Sequence, residues 1–296
     1  FVFYFAVVLT CSGQRPPFIP FGSDSFRTIV RGLSTAPGRS AVVEDIIIRY
    51  FSNDHHRRPP SSPPPAQPSP LSDPAFDAKK PTVLYVHGFE SQRDSSLSFT
   101  RLRMLLMMKS PSSVYKLVKR GLPVQNLHLV GHSLGSHICG YIARYLKARG
   151  FNVPRLIFYP SFTSSKAAPM TPADADFVDV IHTDGGGYGA PDSTGQADFW
   201  PNGGQAKQPG CLSATLPLSN EDFCSHWRSW EFWSESLLRD DFLARPCEDY
   251  DTFLRGQCSG QPLVFMGIRS TPDLRGNFYL ITGAKSPYGL NSRGAS

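Results

Sequence analysis

Charged side chains are scarce in this sequence, since Asp, Glu, Lys and Arg make up only 18% of its 296 residues. The formal net charge of +6 is spread along the chain and does not collect in a basic stripe. This distribution argues against nucleic acid as a partner and fits attraction to an anionic lipid surface better. With 40% hydrophobic residues, the chain can bury the core of one large α/β domain.

The apolar run at the start of the chain, Phe1 to Leu9, is too short to cross a bilayer. Small and polar residues follow it at Cys11, Ser12 and Gly13. The pattern predicts a secretory signal peptide over residues 1–13, with a truncated start because the first residue is not Met. A buried apolar strand is the alternative interpretation. A signal peptide would make the protein secreted and extracellular.

Cysteines are few, six in all, and their local spacing predicts two disulfide bonds. Cys211 and Cys224 would close one short loop, and Cys247 and Cys258 another, as is typical of an exported protein. Cys139 lies within a helical pattern and would remain a buried free thiol.

Residues 53–74 are dominated by Pro, Ser and basic side chains and have too few apolar residues to offset the entropy of ordering. We expect a flexible insertion there, between an N-terminal part of the catalytic domain (14–52) and its main part (75–296). A strand is expected over Val42 to Phe51, on the N-terminal side of the insertion.

Short apolar, β-branched segments recur downstream and predict strands. They cover Thr82 to Val86, Asn126 to Val130, Leu156 to Tyr159 and Phe177 to Ile181. Such segments are typical of a mostly parallel sheet that is buried on both faces. A helical repeat of apolar residues begins at Leu134, directly after the second of these strands. The predicted fold class is therefore α/β, with helices on both faces of the sheet.

The turn between that strand and helix is Gly131-His132-Ser133-Leu134-Gly135. A Gly-x-Ser-x-Gly string alone is weak evidence for chemistry. A nucleophile elbow, however, requires a serine in a strained turn between a strand and a helix, with small residues on both sides, and this string has that placement. We therefore predict an α/β-hydrolase fold with Ser133 as nucleophile; a glycine-rich turn without chemistry is the alternative.

A serine nucleophile needs a base to take its proton, and His226 is the best candidate among the eight histidines. It follows the predicted disulfide loop and lies downstream of Ser133, as the chain order of hydrolases demands. A satisfied surface histidine is the alternative. Acyl transfer also needs two backbone N–H donors for the oxyanion, which Leu134 and Phe89 would supply. A plain turn glycine at Gly88 is the alternative for the second donor loop.

Five motifs together resemble the successive motifs of the pancreatic-type (neutral) lipase family, from about Phe76 to Pro287. They are Val86-His87-Gly88-Phe89, Gly131 to Gly135, Asp174 to Thr183, Asp198 to Gly204 and Cys224 to Ser229. The resemblance, closest to insect members, implies an α/β-hydrolase fold and secretion. It also implies hydrolysis of acyl esters in triacylglycerols, phospholipids or galactolipids at a membrane or lipid-droplet surface.

Two features of the catalytic core depart from the family pattern. The family has an aspartate as the catalytic acid at the position held here by Tyr159, in Phe158-Tyr159-Pro160. A neutral phenol cannot stabilise the imidazolium that His226 must become. Between Phe89 and Asn126 the family has an additional strand and crossover helix, whereas this sequence is only helix-like there. Whether one strand is missing from the sheet, or the gene model is faulty, stays open.

Asp184 is the candidate substitute acid. In the wider α/β-hydrolase fold the acid commonly follows the next strand along, and Asp184 lies just past the predicted strand Phe177 to Ile181. An acid at that height would reach the distal nitrogen of His226. A turn aspartate beside Gly185 and Gly186 is the alternative.

Other departures bear on metals, partners and substrate. The family's calcium-site carboxylates are replaced by residues such as Lys166, Pro169 and Thr171, so no metal and no cofactor are expected. The chain ends near Ser296, too soon for the family's C-terminal β-sandwich, so no colipase partner is expected.

The Cys211 to Cys224 loop resembles the shortened lids of phospholipase A1 members. Its apolar residues would either meet lipid or pack inward as loop anchors. These residues are Leu212, Leu216, Leu218 and Phe223.

Two functions remain from the sequence. The first is a secreted lipase-like carboxylic ester hydrolase that acts on triacylglycerol or phospholipid sn-1 esters through Ser133. The second is a catalytically impaired homologue that binds lipid or another hydrophobic cargo, as yolk proteins of the family do. The retained Ser133 and His226 favour the first function, whereas Tyr159 favours the second.

Overall fold

The computed structural model describes residues 5–11, 46–51, 78–79, 81–86, 111–159, 170–212, 216–217 and 219–296. The strands are β1 (Phe5–Cys11), β2 (Ile46–Phe51), β3 (Thr82–Val86), β4 (Leu127–His132), β5 (Arg155–Tyr159), β6 (Phe177–Ile181), β7 (Ala197–Pro201), β8 (Leu243–Pro246), β9 (Val264–Phe265) and β10 (Gly276–Leu280). The helices are α1 (111–119), α2 (Leu134–Lys147), α3 (Asn220–Ser236) and α4 (Tyr250–Leu254). Among these described helices, none is long and apolar enough to cross a membrane.

The described strands form one sheet in the order β2-β1-β3-β4-β5-β6-β7-β10-β8-β9. Every pair from β1 to β10 in this order is parallel, and antiparallel pairs occur only at the two edges. Parallel strands need cover on both faces, and β3, β4 and β6 are buried along their whole length. The predicted mostly parallel α/β fold is confirmed.

Strand positions follow the predicted segments closely. β3 and β6 have the predicted bounds, and β4 and β5 begin within one residue of them. β3 pairs with β1 on one side and with β4 on the other, so the described part of the sheet is continuous at that point. Of the segment between Phe89 and Asn126, where the sequence allows a missing strand, residues 89–110 lie outside the described residues and residues 111–119 form α1. The predicted insertion at 53–74 also lies outside the described residues.

The N-terminal apolar run forms β1, which pairs with both β2 and β3. A strand is what the alternative interpretation of the run expects. Cleavage after residue 13 stays a prediction, and it would remove β1 from its place beside β3.

Helices cover both faces of the sheet and bury its apolar side chains. On one face α1 and α2 pack against β3, β4 and β5, and Ile138, Ile142 and Leu146 of α2 follow the four-residue spacing of a buried helical stripe. On the other face α3 places Trp230, Phe232 and Trp233 against the same strands. Each fully buried large apolar side chain contributes roughly 1.5–3 kcal/mol relative to exposure.

The two predicted disulfide bonds are present. Cys211 pairs with Cys224 and Cys247 with Cys258, with Cα–Cα separations of 5.6 and 5.8 Å. Cys139 is a buried free cysteine on α2, as predicted, and burial raises the pKa of its thiol far above the ordinary value. The first bond ties the loop before α3 to the first turns of that helix.

Candidate active site

Ser133 lies in the turn from β4 to α2 and has φ 54° and ψ −121°, a conformation that residues with a side chain rarely adopt. The turn is tight because Gly131 has no side chain: a Cβ there would lie 2.5 Å from the Cα of Ser136. Ser136 Oγ also donates to the carbonyl of Gly131 over 2.8 Å. Strand and helix therefore meet as closely as a nucleophile elbow requires.

Of the two predicted oxyanion donors, the structure describes one. Leu134 is the first residue of α2, where backbone N–H groups have no partner within the helix and can bind an anion. Phe89 lies outside the described residues. The oxyanion role of both residues stays a prediction.

His226 is buried on α3 and lies beside the end of β4. Its ring centroid is 4.8 Å from that of His132, the residue before Ser133, and its backbone carbonyl is 3.2 Å from His132 Nε2. His226 Nε2 is buried and has no hydrogen-bond partner among the described residues. A histidine with an unpaired nitrogen next to the elbow can accept the proton of a serine hydroxyl.

The surroundings of His226 favour its neutral form. Burial lowers the pKa of the imidazole well below its ordinary value, and the nearby His132 lowers it further. His226 is therefore neutral at pH 7, which is the form that a general base needs.

Asp184 lies just past the end of β6, and its Oδ2 is 3.8 Å from His226 Nδ1. This separation is longer than a hydrogen bond, and it is an ion-pair contact only when His226 is protonated. The imidazole therefore has a carboxylate on its Nδ1 side and an unpaired Nε2, as a histidine acting between an acid and a serine requires.

Burial raises the pKa of Asp184 to about 6. The backbone N–H of Tyr188, which donates to Asp184 Oδ2 over 3.0 Å, lowers it, and the charge of Asp222 raises it. Asp184 is therefore mostly ionised at neutral and alkaline pH, where it can accept a hydrogen bond from the imidazole N–H.

The chain turns tightly around Asp184. The N–H groups of Gly187 and Gly189 both donate to its carbonyl, over 3.1 and 2.9 Å. A Cβ at Gly187 would lie 2.5 Å from Asp184 Oδ1, so a side chain at this position would displace the carboxylate. Because Asp184 also accepts the Tyr188 N–H, the turn-aspartate interpretation describes the same residue, and capping a turn does not prevent it from facing His226.

Tyr159, at the family's acid position, is the last residue of β5 and is in register with His132 of β4. β5 and β6 are parallel neighbours, so Tyr159 and Asp184 belong to the same end of the sheet. The structure thus has a carboxylate near His226 that comes from the strand next to the family's usual one.

His182, directly after β6, is another buried histidine near this site. Its Nε2 is 2.7 Å from Asp198 Oδ1 and its Nδ1 is 3.2 Å from the carbonyl of Ala190. Its ring stacks on Trp200 with centroids 3.7 Å apart. Both ring nitrogens are in use, so His182 fixes the far end of the loop that carries Asp184 rather than acting on Ser133.

The apolar residues of the disulfide loop divide between the two expected roles. Leu212 and Leu216 are 75% and 67% exposed, whereas Phe223 is 8% exposed and stacks on Tyr188 at 4.5 Å. Leu218 lies outside the described residues. The loop therefore combines inward anchoring with two leucines that face solvent.

Thr171, one of the residues at the family's calcium position, caps a short 3-10 helix with Asp174. Asp174 is also held by a two-pronged ion pair with Arg144, at 2.8 and 2.7 Å. Lys166 and Pro169 lie outside the described residues, and the absence of a metal stays a prediction.

Two residues at this site were not predicted from the sequence, Tyr188 and Asp222. Asp222 precedes His226 by four residues, so helical spacing alone indicates that they share a face of α3. No local pattern around Tyr188 indicates its contacts with Asp184 and with Asp222, because they depend on how the loop meets α3.

Comparison with known proteins agrees with the geometry. A family model described as Lipase matches residues 111–288, more than half of the chain, and this stretch contains Ser133, Asp184 and His226. The chain belongs to the pancreatic-type lipase family.

Curated members of the lipase family are similar over parts of the chain. "Pancreatic lipase-related protein 3" of Homo sapiens is 31% identical over 237 residues, 69% of this chain and 48% of that protein. "Pancreatic triacylglycerol lipase" of Myocastor coypus is 34% identical over 202 residues, 57% of this chain and 43% of that protein. "Inactive pancreatic lipase-related protein 1" of Homo sapiens is 37% identical over 162 residues, which are 46% of this chain and 33% of that protein. The chain spans half or less of the length of these relatives.

Proposed function

We propose that the protein is a carboxylic ester hydrolase for lipid acyl esters, with Ser133 as nucleophile, His226 as general base and Asp184 as acid. One observation carries the proposal. A buried histidine beside a strained serine turn has a carboxylate 3.8 Å from its Nδ1 and no partner at its Nε2 among the described residues. This is the arrangement through which a serine hydroxyl is activated.

In the proposed reaction, Ser133 Oγ attacks the acyl carbonyl while His226 Nε2 takes the hydroxyl proton. The carbonyl oxygen of the ester becomes an oxyanion that backbone N–H groups, Leu134 among them, stabilise. The imidazolium returns its proton to the leaving alcohol, and water then releases the acid from Ser133 by the same steps. Asp184 balances the positive charge of the imidazolium in both the acylation and the deacylation of Ser133.

The distance between Asp184 and His226 has to shorten during this reaction. Catalytic hydrogen bonds are often long without substrate and tighten to about 2.6–3.2 Å in the reacting complex. A charged imidazolium also attracts the carboxylate more strongly than the neutral ring does. The 3.8 Å separation is therefore compatible with a pair that closes when His226 is protonated.

Substrate and location follow from surface features and relatives. Triacylglycerol appears in the name of one relative, and the exposed Leu212 and Leu216 would enter a lipid surface beside α3. The net charge of +6 would favour anionic lipid there, such as the phospholipid of a membrane or droplet. The two disulfide bonds support a secreted, extracellular protein.

The alternative function is a catalytically impaired homologue that binds lipid or another hydrophobic cargo. Tyr159 at the family's acid position supports it, as does similarity to a relative named as inactive. A binding protein of this kind needs the apolar surface but no aligned Ser133 and His226.

An organophosphonate ester probe separates these functions, because it reacts readily only with a serine that has a base and an oxyanion site. We expect it to label Ser133 alone in the folded protein, and Ser133→Ala to abolish labelling. Ser193→Ala, which removes a hydroxyl from an exposed position between β6 and β7, is the matched control and should be labelled like the parent. Absence of labelling in folded parent protein contradicts the hydrolase proposal and leaves cargo binding.

A further inference from the structure

Tyr188 connects the loop that carries Asp184 to the helix that carries His226. Its backbone N–H donates to Asp184 Oδ2 over 3.0 Å, and its phenol donates to Asp222 Oδ2. Asp222 lies in the first turn of α3, one helical turn before His226 and on the same face. One residue therefore contacts the acid directly and the base through its helix.

The ring of Tyr188 adds to this connection. It stacks on Phe223 at 4.5 Å and lies 6.0 Å from the ring of His226. Phe223 in turn precedes Cys224, whose disulfide bond to Cys211 closes the loop with the exposed leucines. The first turn of α3 is thus fixed from one side by the disulfide bond and from the other by Tyr188.

The distance between acid and base makes this contact consequential. At 3.8 Å, Asp184 Oδ2 and His226 Nδ1 are less than 1 Å beyond the upper end of the usual range for an N–H···O bond, roughly 3.2 Å. A small displacement of the loop relative to α3 therefore decides whether the hydrogen bond forms. His182 already holds the far end of the loop through Asp198 and Ala190, so the Tyr188 side is where the loop meets the base.

We propose, on the basis of the hydrolase function proposed above, that Tyr188 is a positioning residue. Its phenol bond to Asp222 holds the Asp184 loop against α3 and so sets the distance between Asp184 and His226. Tyr188 acts on the reaction through Asp184 and, by way of Asp222, through the helix that carries His226.

The proposal also predicts an electrostatic effect. Among the described residues, the groups that face Asp184 and His226 are Asp222 on α3, Tyr188 on the loop and His132 at the end of β4. The charge of Asp222 is among the causes that raise the pKa of Asp184. Asp222→Asn should therefore lower the pKa of Asp184 and move the acid limb of the pH–rate profile to lower pH.

Tyr188→Phe tests the phenol bond with little change in packing, since the ring and its stacking on Phe223 are kept. We expect kcat for a short-chain nitrophenyl ester to fall about ten- to hundredfold with KM unchanged, as for a misplacement of catalytic groups by up to 1 Å. Tyr145→Phe, which removes a phenol from the outer face of α2, is the matched control and should keep the parent kcat.

A double-mutant cycle with Asp222→Ala, which removes the acceptor of the phenol bond, separates positioning from general loosening. The Tyr188→Phe and Asp222→Ala double variant should be no slower than the slower single variant, because both changes break the same hydrogen bond. Additive losses overturn the proposal, and so does a Tyr188→Phe kcat equal to that of the Tyr145→Phe control.

A spectroscopic measurement tests the proposal even if the parent protein does not hydrolyse esters, in which case the hydrolase function alone has failed. The ¹⁵N signals of the His226 ring, assigned by their loss in His226→Gln, report tautomer and hydrogen bonding at Nδ1. Tyr188→Phe should shift these signals, and Tyr145→Phe should not. Unchanged His226 signals in folded Tyr188→Phe overturn the proposal.

Discussion

The ends of β5 and β6 lie side by side in the sheet, yet only the segment after β6 has a carboxylate near His226. β5 ends at Tyr159, the family's acid position, which has no carboxylate, whereas the connection after β6 places Asp184 3.8 Å from His226 Nδ1. In a parallel sheet, neighbouring strands present their carboxyl ends at the same edge, so an acid can serve one histidine from either strand. The loss of the family's acid residue therefore does not by itself establish a loss of function.

Among the substitutions at these two strand ends, we expect Asp184→Asn to lower the rate of ester hydrolysis most. Asparagine keeps the shape but cannot balance the imidazolium, so we expect ester hydrolysis to fall on the order of 10³–10⁴-fold. Asp192→Asn makes the same change at an exposed position of the same loop and should leave kcat unchanged. Equal rates for the parent and Asp184→Asn would show that β6 supplies no catalytic acid.

Placing the acid at the end of β5 instead of after β6 tests which of the two positions supports catalysis. In parent protein, Tyr159→Asp should change kcat by less than about tenfold, because a second carboxylate adds little when the first already serves. In the Asp184→Asn background, Tyr159→Asp should raise kcat at least about tenfold, short of the full 10⁴ because Asp and Tyr differ in size and shape. Kinetics with a nitrophenyl ester measure both. A large gain from Tyr159→Asp in the parent would instead favour β5 as the only productive acid position.

The pH dependence identifies which group limits the reaction. Since the pKa of Asp184 is raised to about 6 and that of His226 is lowered, Asp184 is the group that gains a proton as pH falls through about 6. We expect kcat/KM to fall below that pH and to be flat from pH 7 to 8. In Asp184→Asn, any residual activity should lose this limb. A limb that is identical in both proteins would assign it to another group.

Stability should change in the opposite direction to activity. A folded pKa above the ordinary value of 3.8 means that the folded state favours protonated Asp184, so this group's contribution to stability is lost as pH rises through about 6. Asp184→Asn should therefore raise the free energy of unfolding by about 1–2 kcal/mol at pH 8 and by much less at pH 3.5. Urea unfolding at the two pH values measures the difference. A destabilised Asp184→Asn at pH 8 would indicate that the carboxylate is a structural cap only.

The parts of the structure that depend on neighbouring residues in sequence were predictable. The bounds of β3 and β6, the strand-turn-helix around Ser133 and both disulfide pairs follow from local patterns. The distance between Asp184 and His226 depends on how the loop after β6 meets α3, and no local pattern encodes it. The role of β1 was ambiguous for the same reason, because an apolar leader and an apolar buried strand have the same composition.

A crystal structure of the phosphonate-labelled protein tests most directly whether Asp184 is the acid partner of His226. The tetrahedral adduct on Ser133 resembles the reaction intermediate and favours a protonated His226. We expect the Asp184 Oδ2 to His226 Nδ1 distance to close from 3.8 Å to about 2.6–3.2 Å in the adduct. A separation that stays at 3.8 Å or widens, or another group bound at Nδ1, would show that Asp184 is not the acid partner.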